Sequence, residues 1–463
     1  MPDFPIPKKR KIHHDYLPIG LLKIGSYLRQ AKGFSVELVF GNQQPKDGPD
    51  EIWITSLFTY WSEYVHASAN HYRALYPKAR IIVGGIYATL MPEHAKTATK
   101  ASKIHLGVHK TAEKWARTHP LDYSLLGKEV DFQILHGMRG CFRRCKFCGT
   151  WRIEPREEFD SRLAKRIRSN HVVLYDNNFL RNPKIRQILK KLAAVKYDNR
   201  SVVFECQSGF DGRILSDEVA LLLKKARFVN PRIAWDNSLE DEDKIRQQIG
   251  MLKKAGYPAK DIYTFILYNW EHDFRECETK RLKCWQLGVQ ISDCRFRPLD
   301  RLSDHYEPRR SQTSRDYFIH PSWTDAEVKL FRANVRKHNI CIRHGFRFHS
   351  RALEHMKLPK RELVELNEMP KSVIKQVLPD AWFPEEYHGP DRRQLHIEKF
   401  ETLANFADEE KLGTSLLDSV ALDSHMVVGR VMAENILTTS RSFQGDPPRS
   451  QPQDPPVPTS NRE

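Results

Sequence analysis

The amino-acid sequence predicts an α/β protein: an N-terminal parallel sheet, then a partial (β/α)6 barrel, then a mainly helical C-terminal region. Three observations carry that expectation. Apolar runs of strand length alternate with helix-period stretches over roughly the first 300 residues. The run that includes Val83 ends on Gly84-Gly85, and beyond Leu299 the alternation gives way to charged, helix-forming sequence. Strands separated by helices need crossover connections, which give parallel sheets with ligand sites at the strands' C-terminal edge.

In the first region, residues 1–125, the segment 21–31 has a helical apolar stripe and is closed by Gly33. Strands are expected over 36–40, 52–57 and 80–83, with a helix over 62–76. The chain opens on Pro2-Asp3-Phe4-Pro5, which reads as the loop after a first strand, so either a start further upstream, the preferred reading, or a sheet lacking its first strand is expected.

In the second region, residues 126–300, six strands are expected over 131–136, 172–175, 202–206, 232–235, 262–267 and 290–297. The helices between them have readable ends. Asn182-Pro183 opens one that runs to about residue 196. Ser216 caps a helix over 217–227 that has acids in its first turn and bases in its last. Another, over 241–255, stops at Gly256. The third region, 301–437, begins with a charged loop over 301–316. A Thr324/Glu327 capping box then opens a basic helix to about residue 337, and further helices are expected over 360–378 and 395–412. The tail, 438–463, is rich in Pro, Ser, Gln and Asp and cannot bury a core, so disorder is expected.

Composition narrows the class of chemistry. Eight cysteines in 463 residues are too few for a disulfide scaffold. No signal-like opening and no apolar run of membrane-spanning length is seen, so a reducing cytoplasm and no membrane partner are expected. The formal charge of +17 favours polyanions or acidic substrates, though surface Lys and Arg also serve solubility.

Three of the cysteines are clustered. Gly140-Cys141-Phe142-Arg143-Arg144-Cys145-Lys146-Phe147-Cys148-Gly149 spaces them C-x3-C-x2-C, just past the first strand of the second region. Three thiolates on one loop can each bind one iron of a cubane and leave the fourth iron open, as catalytic metal sites do. Zinc held by these cysteines and His136 is the competing reading. It is disfavoured because zinc knuckles pair two C-x2-C units and His136 lies on a strand. Arg139, Arg143, Arg144, Lys146 and Arg152 would offset the charge of an anionic cluster. Cys277, Cys284 and Cys294 match no common spacing for a second one.

The motif, with Phe147 in its aromatic slot, resembles the signature of the radical S-adenosylmethionine (radical SAM) superfamily. The resemblance implies a TIM-type partial barrel, a [4Fe-4S] cluster on Cys141, Cys145 and Cys148, and S-adenosylmethionine on the open iron. It further implies an electron donor such as flavodoxin or ferredoxin. The turn Asp176-Asn177-Asn178 occupies the place where that family receives the cofactor's amino group. Glu205 and Gln207 flank Cys206 and point the same way, while Asp236 and Asn269 end the fourth and fifth strands. With Phe147, these are the expected cofactor-binding residues; no catalytic residue can be named.

Residues 16–29, the 52–57 run and Val83–Ala88 resemble the cobalamin-binding, Rossmann-like domain that precedes many such barrels. Its cobalt-ligating D-x-H-x-x-G loop is absent, so cobalamin is not expected in a His-on mode. A His-off mode stays open beside the preferred reading, a domain that only packs on the barrel. The expected function is reductive cleavage of S-adenosylmethionine to a 5′-deoxyadenosyl radical acting on an unidentified substrate. The alternatives are a radical enzyme that modifies RNA or DNA, or a nucleic-acid-binding protein with a vestigial cluster. Both are motivated by the charge and by the interleaved Arg and Phe of 331–349.

Overall fold

Three parallel strands, Glu51–Ser56, Arg80–Gly85 and Lys103–His105, form the N-terminal sheet in sequence order. The computed structural model describes residues 1–6, 16–355 and 360–390. In the middle strand Ile81, Ile82 and Val83 are all buried in succession, because helices cover both faces. Those helices include Ile19–Lys32, Ser62–Leu75, Pro92–Thr99 and Lys110–Ala116. The first ends as expected at Gly33, left-handed at φ 72°.

The strand expected over 36–40 does not form. Val36, Leu38 and Phe40 pack instead beside Leu22 and Leu125, and among the described residues Glu51–Ser56 stays at the edge of the sheet, pairing only with Arg80–Gly85. Apolar alternation there records burial without a hydrogen-bonded neighbour.

All six strands expected in the second region are present. Gln133–Leu135, His171–Leu174 and Val203–Cys206 form a four-stranded parallel sheet, completed by an additional strand, Phe228–Val229. Arg232–Ala234, Tyr263–Tyr268 and Gln290–Arg295 form a three-stranded parallel sheet. The two meet at a parallel bridge between Phe210 and Ile233. Every pairing is parallel, so the C-terminal ends of these strands share one face.

The helix ends follow their caps, with three departures. Ser216 accepts the Val219 N–H at 3.3 Å, as expected. The helix after Asn182 starts only at Ile185, because Asn182 first accepts the Lys184 N–H at 3.0 Å in a turn. It stops at Ala194, since Lys196–Tyr197 pairs back on Arg200–Ser201. The Thr324/Glu327 box is reciprocal, and its helix runs past residue 337 to His344. The helix expected over 360–378 breaks at Pro370 into Lys360–Glu368 and Lys371–Val377. The helix expected over 395–412 and the tail from 438 lie outside the described residues.

Residues Met1–Gly389 form one compact unit, so the boundaries expected near 125 and 300 both fall inside it. The main apolar core runs from Leu135 through the helices of the second region to Tyr317, Trp323, Phe331 and Val335. Among the described residues no helix is long and apolar enough to cross a membrane.

Candidate metal and cofactor site

Past Leu135 the chain makes a two-residue ladder, Met138–Arg139 against Glu158–Phe159, and the loop within it carries Cys141, Cys145 and Cys148. All three thiols are half-buried and unbridged. The loop is entered through Gly140 at φ +75°, where a Cβ would lie 2.2 Å from the Arg156 carbonyl oxygen. No other residue fits that crossing. The Cys148 N–H bonds the Cys145 carbonyl at 3.1 Å, and the Cys148 thiol reaches the Thr150 hydroxyl at 3.3 Å. Burial, the neighbouring Cys148 and Asp236 raise the Cys145 thiol above its ordinary pKa, against the pull of Arg213. A metal would have to displace that proton.

The Asp-Asn-Asn turn lies directly beneath. Asn178 sits 4.0 Å from the Cys141 sulfur through Nδ2, which donates to Asp211 at 3.1 Å, while its Oδ1 is buried without a partner among the described residues. A buried acceptor left open beside Cys141 fits a ligand that brings a donor, such as an amino group. Asn177 donates to Glu154 at 2.7 Å. Asp176 is fully buried, and its carboxylate accepts the Gly137 and Met138 N–H groups, so it faces the backbone of the loop's stem.

The remaining expected residues divide in the same way. Cys206 joins the apolar core, so Glu205 and Gln207 face the opposite side. Glu205 is buried against Arg232 at 2.5 Å, and Gln207 is half-buried. Asp236 is half-buried, and burial raises its carboxyl pKa to about 6 against the pull of Lys280 and Arg213. Asn269 is turned away. At φ 57° it donates to the Phe318 carbonyl at 2.7 Å and accepts the His320 N–H at 2.9 Å, which uses both ends of its amide to hold the 318–320 loop.

Phe147 packs edge-on to Trp270 and lines a cavity of about 210 Å³ between the two parts of the chain. Phe58, Tyr60, Ile86 and Leu90 form one wall, with Leu267, Phe296 and Arg297 opposite. The C-terminal edge of the N-terminal sheet and the cysteine loop thus open on the same space.

Sequence reading missed Asp211 and Glu154. Asp211 accepts Arg143 at 2.6 Å and Asn178, fastening the cysteine loop to the third strand's exit. Glu154 takes the Gly140 N–H, Asn177 and Arg139. Asp211 lies five residues past Cys206, on the exit from the third strand, and could have been singled out there; for Glu154 no local pattern gives a signal. Of the five cations around the motif, Arg139 is committed beneath the loop to Glu113 and Glu154, whereas Lys146 is 79% exposed.

His136 is buried with its Nδ1 3.4 Å from the Lys23 ammonium, away from the cysteines, which removes it as a partner for zinc. No group of three His, Cys, Asp or Glu side chains among the described residues converges on a single ion. A cubane, bound at three separate irons, does not ask for such convergence. In the stretch 331–349, Phe331 and Phe348 are buried, whereas Phe346 is half-buried and stacked on exposed His344 with ring centroids 5.8 Å apart.

In the N-terminal sheet, the Ser56 hydroxyl donates to the Gly84 carbonyl at 2.8 Å and accepts the Ala88 N–H at 3.0 Å. A Cβ on Gly85 would lie 2.1 Å from the Ser56 carbonyl oxygen. The Gly84-Gly85 turn is thus held closely against Ser56 by its own chain.

No family model matches the chain, and no curated protein sequence does either. Solved structures do. The radical S-adenosylmethionine methyltransferase TsrM from Kitasatospora setae, with cobalamin and a [4Fe-4S] cluster bound, has a TM-score of 0.48 and 11% identity, over 63% of this chain and 75% of that one. The same enzyme with tryptophan substrate and aza-SAM gives 0.48 and 11%, over 63% and 73%. Coproporphyrinogen III oxidase (HemN) from Escherichia coli, a radical SAM enzyme, gives 0.31 and 12%, over 52% and 56%. The chain is thus similar in outline to structures of radical SAM enzymes.

Proposed function

We propose that this chain is a radical SAM enzyme in which the two parallel sheets of the second region are the halves of one partial barrel. The observation that carries the proposal is the placement of three half-buried thiols on one glycine-framed loop, at the strands' C-terminal face, above a buried amide oxygen with no partner among the described residues. Cys141, Cys145 and Cys148 would each hold one iron of a [4Fe-4S] cluster, and Asn178 Oδ1 would accept from the amino group of S-adenosylmethionine. Phe147 and Asp236, the latter close enough to act on the Cys145 thiol, would flank the open side. When bound and reduced, the cluster would supply the electron that cleaves the sulfonium to a 5′-deoxyadenosyl radical. That chemistry requires an electron donor, for which a flavodoxin or ferredoxin is suited. The adjoining cavity, walled by Phe58, Tyr60 and Phe296, is where the substrate would meet the radical while water is kept out.

Anaerobic reconstitution is expected to load about four irons per chain. Reduction with S-adenosylmethionine present is expected to release 5′-deoxyadenosine, and Cys145→Ala to lose both properties. Wild-type protein that forms no more 5′-deoxyadenosine than the variant overturns the proposal.

A further inference from the structure

We infer that Glu154 is a positioning residue that buckles the base of the cysteine loop, and that the N-terminal sheet region acts on the loop through it. One Glu154 oxygen accepts the Gly140 N–H at 2.8 Å and Asn177 Nδ2 at 2.7 Å; the other accepts Arg139 Nη1 at 2.8 Å. The entry to the loop, its exit and the Asn turn therefore meet at one carboxylate whose side chain is 12% exposed. Because Gly140 also crosses against Arg156, the ends of the segment are pinched from two sides.

From Arg139 the chain of charges continues into the N-terminal region. Arg139 Nη2 reaches Glu113 Oε2 at 2.9 Å, and that oxygen also takes the Lys23 ammonium at 2.7 Å. Glu113 stands on the helix Lys110–Ala116 and Lys23 on Ile19–Lys32. Two cations alternate with two carboxylates, and removal of any one member leaves the row with a buried charge out of balance. A row of this kind fixes geometry more than it adds stability. It gives the N-terminal region a task beyond covering the barrel: to hold the three thiols at a set spacing.

The inference rests on the proposed cluster for its purpose, but its test does not. In metal-free protein, iodoacetamide labelling of each cysteine can be followed by mass spectrometry. Glu154→Ala is expected to speed alkylation of Cys141, Cys145 and Cys148 several-fold, and Glu113→Gln to do so less strongly. Buried Cys341, remote in sequence, serves as the control and should not change. Glu154→Asp, which keeps the charge, should recover part of the protection. After reconstitution, Glu154→Ala should also alter the low-temperature paramagnetic spectrum of the reduced cluster. Unchanged labelling of the three loop cysteines in both variants overturns the inference. So does labelling of Cys341 that rises in step with theirs in both variants, because the effect would then be general unfolding. Wild-type protein that binds no cluster would count against the proposed function and leave the labelling result standing.

Discussion

Asp176 has no contact with solvent, and its carboxylate meets two backbone N–H groups at the stem of the cysteine loop. Burial raises its pKa from 3.8 to about 7, with the Gly137 and Met138 amides pulling the other way. A folded pKa above the unfolded one means that, between those values, the folded chain keeps a proton which the unfolded chain has lost. Stability attributable to this group therefore falls as pH rises from about 4 to about 7. Asp176→Asn removes the titration. The stability of the wild type relative to this variant should drop by about 2–4 kcal/mol between about pH 4.5 and about pH 7.5. Urea unfolding of both proteins at the two pH values measures it, and a pH-independent difference would refute the account. Glu113 is the opposite case. Burial pushes its carboxyl up, but Lys23 and Arg139 outweigh burial and hold it well below the usual range. Its contribution is lost only as pH falls below about 4.5, and it cancels in the comparison because both proteins contain it.

At the scale of strands and helices, glycine separates positions under strain from positions at ease. Gly85 ends a strand at φ +100° with Ser56 pressed against it, whereas Gly250 lies in the helix Glu242–Lys254 with nothing within 4 Å of where a Cβ would stand. Gly85→Ala should cost about 3 kcal/mol or more, and Gly250→Ala should gain about 0.5–1 kcal/mol. Denaturant midpoints of the two variants give the comparison; signs opposite to these would contradict the packing described. Strands of the second region are legible in sequence because parallel strands buried on both faces are short apolar runs. Helix ends at Ser216 and Thr324 are legible because capping is a contact of near neighbours. The cysteine loop is legible for the same reason, as its spacing is local. Asn269 and Glu154 are not, because their partners lie 49 to 51 and up to 23 residues away and only the fold brings them together. Residues 36–40 show the reverse failure, an apolar alternation satisfied by side-chain packing alone.

For the molecule as a whole, a net charge of +17 with Phe331 and Phe348 of the basic stretch buried points to diffuse attraction for polyanions. Binding to single- and double-stranded nucleic acid is expected to be similar for the two forms, with Kd on the order of 10⁻⁴–10⁻⁶ M at physiological salt and steeply weaker as salt rises. A fluorescence titration across a salt series tests this, and tight, salt-insensitive binding to one form would restore the nucleic-acid reading.

The helix Phe274–Leu287 carries a last consequence. Its Glu278 and Arg281 are both wholly enclosed and bonded to each other at 2.9 Å. Arg281 also donates to the carbonyls of Pro384 and Glu386, at 2.6 and 2.7 Å, and Glu278 takes the His388 N–H at 3.1 Å. Strip away the stretch around residues 384–388, and a guanidinium and a carboxylate would stand in oil with half their valences empty. That stretch behaves like a cork, belonging to the interior as fully as any strand although it comes more than a hundred residues later in the sequence.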